Sequence, residues 1–125
     1  MWGVLIDENR SLQPGALEVL KELKQSYKLG VATSISRRGM EEILEKWGIS
    51  ELFEAKSAGS DVAHNKPAPD VYLRSCELMG LEPKDCIVVE DTATYLTGIE
   101  AVGFKTVLMG PGGCDSLSEL TNFLV

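Results

Sequence analysis

The chain has 125 residues, 44% of them hydrophobic and 25% charged, which suits one folded domain and excludes a disordered state. Twelve basic against 19 acidic residues give a net charge of −7, which disfavours nucleic acid and anionic membranes as partners. No apolar run approaches the roughly 20 residues of a membrane span.

Gly3-Val4-Leu5-Ile6 is a short apolar run ending at Asp7, and by itself it reads as a strand or as the edge of a helix. It lacks the basic flank and long apolar stretch of a secretory leader. After a polar stretch, Pro14 suits the first turn of a helix, and Leu17, Val19, Leu20 and Leu23 continue it at helical spacing over 14–25. Residues 28–33 read as a buried strand ending in the hydroxyls of Thr33 and Ser34. Ser36 is placed to cap the next helix, whose apolar stripe is Met40, Ile43, Leu44 and Trp47, with Gly48 as its stop. Residues 53–57 are a weaker strand candidate and 61–69 a loop with two prolines. A helix over 70–79 ends at Gly80, and Cys86-Ile87-Val88-Val89 is the clearest strand, again ending in acids, Glu90 and Asp91. A helix over 94–102, a strand over 105–109 and a short terminal helix over 117–124 complete the order. Cys76, Cys86 and Cys114 form neither a disulfide ladder nor a zinc pattern, so reduced thiols in a cytoplasmic protein are expected.

Short apolar strands alternating with amphipathic helices predict a three-layer α/β domain, its mainly parallel sheet of about five strands covered by helices on both faces. In such a sheet ligands bind beyond the carboxyl ends of the strands. Those ends here carry Asp7, Thr33 and Ser34, the loop to Lys66, and Glu90 and Asp91. Carboxylates converging at one edge repel unless a cation sits among them, and oxygen ligands of this kind suit Mg²⁺. A hydroxyl and an ammonium nearby suit phosphoryl oxygens, and a carboxylate can attack phosphorus to form an aspartyl-phosphate.

Most of the chain, from Pro14 to Gly110, resembles the core domain of the haloacid dehalogenase (HAD) superfamily, in its phosphoglycolate phosphatase and β-phosphoglucomutase branch. Gly30-Val31-Ala32-Thr33-Ser34 resembles that family's second motif, a strand ending in a phosphate-binding hydroxyl. Asn65-Lys66-Pro67-Ala68-Pro69-Asp70 resembles the third, whose lysine neutralises nucleophile and phosphate. Val88-Val89-Glu90-Asp91-Thr92 resembles the fourth, whose acids hold Mg²⁺. The resemblance implies a Mg²⁺-dependent phosphohydrolase of a Rossmann-like fold. Asp7 would be its nucleophile. Thr33, Ser34 and Lys66 would hold phosphate, and Asp7, the carbonyl of Asn9, Glu90 and Asp91 the metal.

The first motif departs from the family pattern. Asp7-Glu8-Asn9-Arg10-Ser11 has Asn9 where the general acid/base Asp belongs. An amide cannot shuttle a proton, and losing such a group costs about 10²–10⁴ in rate. Slow turnover, or a preference for good leaving groups such as acyl phosphates, is expected. Alternatively, residues 1–13 are the tail of a cap and the chain is a fragment or a divergent core. The motif reading is favoured because the sheet would otherwise lose pairing on neighbouring strands. On that reading one core domain spans 1–125, and the six residues between Asp7 and Pro14 leave no room for a cap. An open site of that kind suits a large phosphorylated substrate or small molecules under a lid supplied by a partner, a second copy included. A non-catalytic binding module is the other alternative. Plainer roles are expected for His64, a surface histidine, and for Asp70, a helix N-terminal charge. Tyr95 stands where this branch commonly has a small residue, and it fills space or narrows the site.

Overall fold

The computed structural model describes residues 4–6, 9–110, 113 and 116–120. Elements follow the alternating order: α1 (Ala16–Lys24), β1 (Gly30–Ala32), α2 (Arg37–Lys46), β2 (Ala55–Ser57), α3 (Asp70–Leu78), β3 (Ile87–Glu90), α4 (Ala93–Ala101) and β4 (Lys105–Leu108). Ser36 caps α2 as expected, its hydroxyl accepting the Gly39 N–H at 3.1 Å. Gly48 ends that helix at φ +67°, a conformation that an L side chain adopts at a cost, and the Ile49 N–H closes the turn on the Leu44 carbonyl. Of the expected terminal helix over 117–124, the described residues show a 3₁₀ turn at Leu117–Glu119 and a helical Leu120, and 121–124 lie outside them.

All described strand pairing between elements is parallel. β1 pairs with β2, Val31 opposite Lys56, and β3 pairs with β4, Val88 opposite Thr106. Helices cover the sheet in two layers. One apolar cluster joins α1 and α2 through Val19, Leu20, Leu23, Met40 and Leu44 to Val31, Val107 and Leu117. The other joins α3 and α4 through Val71, Tyr72, Cys76 and Ile99 to Cys86 and Phe104. The Cys76 and Cys86 sulfurs lie 3.3 Å apart as free thiols, well beyond the roughly 2.05 Å of a disulfide. Burial and then the neighbouring thiol push Cys86 up to about 12.

One expectation is corrected here. The run at 3–6 was expected to fill the middle of the sheet. Gly3 lies outside the described residues, Val4 and Leu5 form a turn, and Ile6 makes only an isolated antiparallel bridge to Leu12. The Gln13 N–H donates to the Leu5 carbonyl at 2.7 Å, and Val4, Leu5 and Ile6 bury themselves in the α1–α2 layer. The apolar run thus gains its burial by packing on helices instead of pairing with strands. Among the described residues the sheet consists of two pairs, and β1 and β3 are not hydrogen-bonded to one another. β3 is accordingly less covered than a central parallel strand usually is: Ile87 is 38% exposed.

Candidate functional site

The carboxyl ends of β1 and β3 meet at Lys66. Its side chain is 9% exposed, and its ammonium donates to Glu90 Oε2 at 3.0 Å and to the Ala32 carbonyl at 3.5 Å. The lysine comes from the loop entering α3, whose Lys66–Pro67 peptide is cis. Tyr72, on the first turn of α3, also donates its hydroxyl to Glu90 Oε2. The ammonium lies 5.0 Å from the Tyr72 ring centre and 5.9 Å from that of Tyr95, so both rings add cation–π attraction. Tyr95 therefore narrows the site around the lysine, one of the two roles expected of it.

Glu90 is buried at the end of β3, 3% exposed, a position that would be costly for a lone carboxylate. Burial pushes its pKa up, but Asp91, the Tyr72 hydroxyl and Lys66 outweigh that and hold it at about 2. Glu90 Oε1 accepts the Asp91 N–H at 3.0 Å, so both of its oxygens are engaged. Asp91 is different: it is exposed, and Thr92 Oγ1 lies 3.3 Å from its Oδ1. Burial of its carboxyl and then the neighbouring Glu90 raise the pKa of Asp91. The two adjacent acids thus differ: Glu90 is locked into an ion pair, whereas Asp91 is exposed with Thr92 as its partner.

Thr33, at the end of β1, is 1% exposed, and its hydroxyl accepts the Ile35 N–H at 3.4 Å. Ser34 is exposed beside it. Gly59 lets this loop close: a Cβ there would stand 2.1 Å from the Ser34 carbonyl oxygen and 2.6 Å from Asn65 Oδ1. Asp70 accepts the His64 N–H at 3.2 Å, and His64 is 77% exposed, in keeping with the plainer roles expected of both.

Lys66, Thr33, Ser34, Glu90 and Asp91 therefore share one end of the sheet. Asp7 lies outside the described residues. Asn9 is exposed, next to Arg10, whose φ is +63° and whose carbonyl accepts the Trp47 indole N–H at 3.1 Å. Trp47 ends α2 and leads toward β2, which places the 9–10 turn by the α2–β2 connection, at the other end of β1 from Thr33. Sequence reasoning missed Tyr72. Six residues after Lys66, on the first turn of the helix that the lysine loop enters, it reads in the sequence as a core residue of that helix.

Mg²⁺ takes oxygen ligands and is usually held by one or two carboxylates, with waters and phosphate oxygens completing its shell. The exposed carboxylate of Asp91 fits that mode, and Glu90 joins it only by giving up one of the partners that engage its oxygens. Among the described residues no three His, Cys, Asp or Glu side chains gather closely enough to form an all-protein cage. No helix among them is long and apolar enough to cross a membrane.

A parallel α/β sheet with a lysine, hydroxyls and paired acids at its carboxyl edge defines a class of phosphate-handling domains. Residues 2–103 match the haloacid dehalogenase-like hydrolases, and the chain belongs to that family. It is 36% identical over 101 residues to protein CbbY of Rhodobacter capsulatus, covering 78% of this chain and 44% of that protein. It is 31% identical over 118 residues to beta-phosphoglucomutase of Bacillus subtilis, covering 90% of this chain and 51% of that protein. The crystal structure of a predicted phosphoglycolate phosphatase from Haemophilus somnus superposes with a TM-score of 0.81 at 25% identity, over 94% of this chain and 61% of the other. The chain spans about half the length of the curated relatives it matches.

Proposed function

We propose that this domain works as a Mg²⁺-dependent phosphohydrolase on phosphorylated substrates. The observation that carries the reading is the buried Lys66 ammonium, held by Glu90 and Tyr72 between the ends of β1 and β3 with Asp91 alongside. The family and its named phosphatase relatives support it. Lys66 and the hydroxyls of Thr33 and Ser34 would orient the phosphoryl oxygens and offset their charge. Asp91 and Glu90 would hold Mg²⁺, which supplies further neutralisation of phosphoryl charge when bound. Asp7 is the carboxylate proposed to attack: its oxygen bonds to phosphorus as the bond to the leaving oxygen breaks, and water then displaces the carboxylate. The leaving oxygen needs a proton, which the Asn9 amide cannot give, so substrates whose leaving groups need none are favoured.

Hydrolysis of acetyl phosphate and para-nitrophenyl phosphate, with and without Mg²⁺, tests this. Metal-dependent turnover that Asp7→Asn abolishes is expected, with simple alkyl phosphates slower by about 10²-fold or more. Turnover that survives Asp7→Asn removes Asp7 from the role, and no turnover by folded protein overturns the reading. One observation favours a second reading, a module that binds phosphorylated ligands without hydrolysing them: the Trp47–Arg10 contact holds the 9–10 turn away from Thr33. A beryllofluoride adduct on Asp7 would exclude it.

A further inference from the structure

Two thiols meet at the end of β3 away from Lys66. Cys76 lies on the last turn of α3 and Cys86 at the entry to β3, and their sulfurs are 3.3 Å apart. Each is anchored through its own backbone. The Cys76 carbonyl accepts the Leu81 N–H at 3.1 Å, and its thiol donates to the Leu81 carbonyl at 3.1 Å. The Cys86 N–H donates to the Pro83 carbonyl at 3.0 Å, and the Cys86 carbonyl accepts the Lys105 N–H at 3.2 Å. With the Cys76 proton committed to Leu81, the Cys86 thiol is the donor between the two sulfurs.

A single buried cysteine behaves as a small hydrophobe. Two in contact, each held by a different element, stand at bonding approach, because a disulfide of roughly 2.05 Å forms only where the backbone already brings the sulfurs together. Cys86 is 9% exposed and lies between the exposed Asp85 and Ile87, whereas Cys76 is 2% exposed. Cys86 is therefore the sulfur that a small oxidant reaches first. The same two elements meet again at the functional end. Tyr72 stands one turn before Cys76, Glu90 stands four residues after Cys86, and the Tyr72 hydroxyl donates to Glu90. The thiol contact and the Tyr72–Glu90 bond thus tie α3 to the β3 segment at two levels.

We propose that Cys76 and Cys86 form a redox site, which a peroxide closes into a reversible disulfide that braces α3 against β3. Cys86 Sγ, as thiolate, bonds to one peroxide oxygen as the O–O bond breaks, giving a sulfenic acid. The other oxygen leaves as hydroxide and takes up the proton that the thiol released, forming water. Cys76 Sγ then bonds to Cys86 Sγ as the S–O bond breaks, and the departing hydroxyl takes the Cys76 proton as a second water. The sulfurs lose two electrons and the peroxide gains them. An added dithiol reverses the link by exchange. Burial pushes the Cys86 thiol up to about 12, so thiolate is scarce at neutral pH and the first step is slow. The site answers to sustained oxidant, and it lies apart from the residues assigned to phosphate and metal.

The test exposes the 125-residue chain to millimolar hydrogen peroxide overnight, blocks the remaining thiols and digests with trypsin. Cleavage after Arg74, Lys84 and Lys105 puts Cys76, Cys86 and Cys114 on separate peptides. Peptides 75–84 and 85–105 should be recovered joined, lighter by two hydrogens than their sum, and dithiothreitol should separate them. The linked chain should melt about 5 °C or more above the reduced chain. Cys76→Ala should strand Cys86 as a sulfenic acid that dimedone traps, and Cys86→Ala should leave Cys76 unoxidised. Both thiols intact in folded chain after this treatment would overturn the site. So would Cys86 carried on to sulfinic acid beside an unreacted Cys76. Linkage of either residue to the Cys114 peptide in its place would overturn the pairing, and a linked chain that melts below the reduced one would overturn the brace.

Discussion

The carboxyl ends of β1 and β3 lie side by side yet solve opposite problems. β1 ends in neutral hydroxyls: Thr33 is buried on its own backbone turn, and Ser34 is exposed. β3 ends in two acids, one of them buried, and the fold has had to import a lysine and a tyrosine to keep it there. The contrast shows where rigidity comes from. A hydroxyl tolerates its surroundings with one weak hydrogen bond, whereas a buried carboxylate compels an organised shell around it. That shell also places the ammonium between the strand ends, so stability and the proposed phosphate contacts rest on the same residues at β3 and are separable at β1.

Removing the imported cation should break this contrast most severely. Lys66→Met leaves Glu90 buried without its counter-charge and should destabilise the fold by about 3–5 kcal/mol. Urea denaturation reads the loss, and adding Glu90→Gln should recover a large part of it. Recovery of nothing would show that the lysine acts by packing alone. The next effect belongs to Tyr72→Phe, which removes one donor to a charged acceptor and should cost about 1.5–3 kcal/mol. The same variant sharpens the electrostatics. The pKa of Glu90 is depressed, so its contribution is fully present above its ordinary 4.5 and is lost as pH falls toward about 2. Without the Tyr72 hydroxyl that acid limb should move to higher pH, and an unmoved limb would remove Tyr72 from the network. The smallest effect is expected far from the acids: Trp47→Phe deletes the bond to the Arg10 carbonyl and should cost about 1 kcal/mol or less. Its amide-exchange map should change at residues 9–12 and not around Thr33. A change around Thr33 would show that the N-terminal turn communicates with the site.

Much of this molecule was legible from local chemistry. The element order followed from helical stripes and strand-length apolar runs, and the helix ends from Ser36 and Gly48, because caps and periodicity act over a few residues. The convergence of Thr33, Ser34, Lys66, Glu90 and Asp91 was legible too, since a parallel sheet delivers successive strand ends to one edge. Tyr72 was not, because a tyrosine on an amphipathic helix looks like core until its hydroxyl has a partner. Nor was the division between Glu90 and Asp91, which depends on which acid the lysine reaches.

What the sequence by itself determined, then, is the α/β alternation, the family and the set of polar residues at the carboxyl edge. Only the tertiary structure decided the place of Val4, Leu5 and Ile6. An apolar run of that length satisfies its hydrophobic demand equally well in a strand or against helices. The choice was made by the bridge from Ile6 to Leu12, the bond from Gln13 to Leu5 and burial on α1. Those contacts keep the run out of the sheet and leave β1 and β3 with facing, unladdered edges, a consequence that arises only when distant segments compete for the same partners.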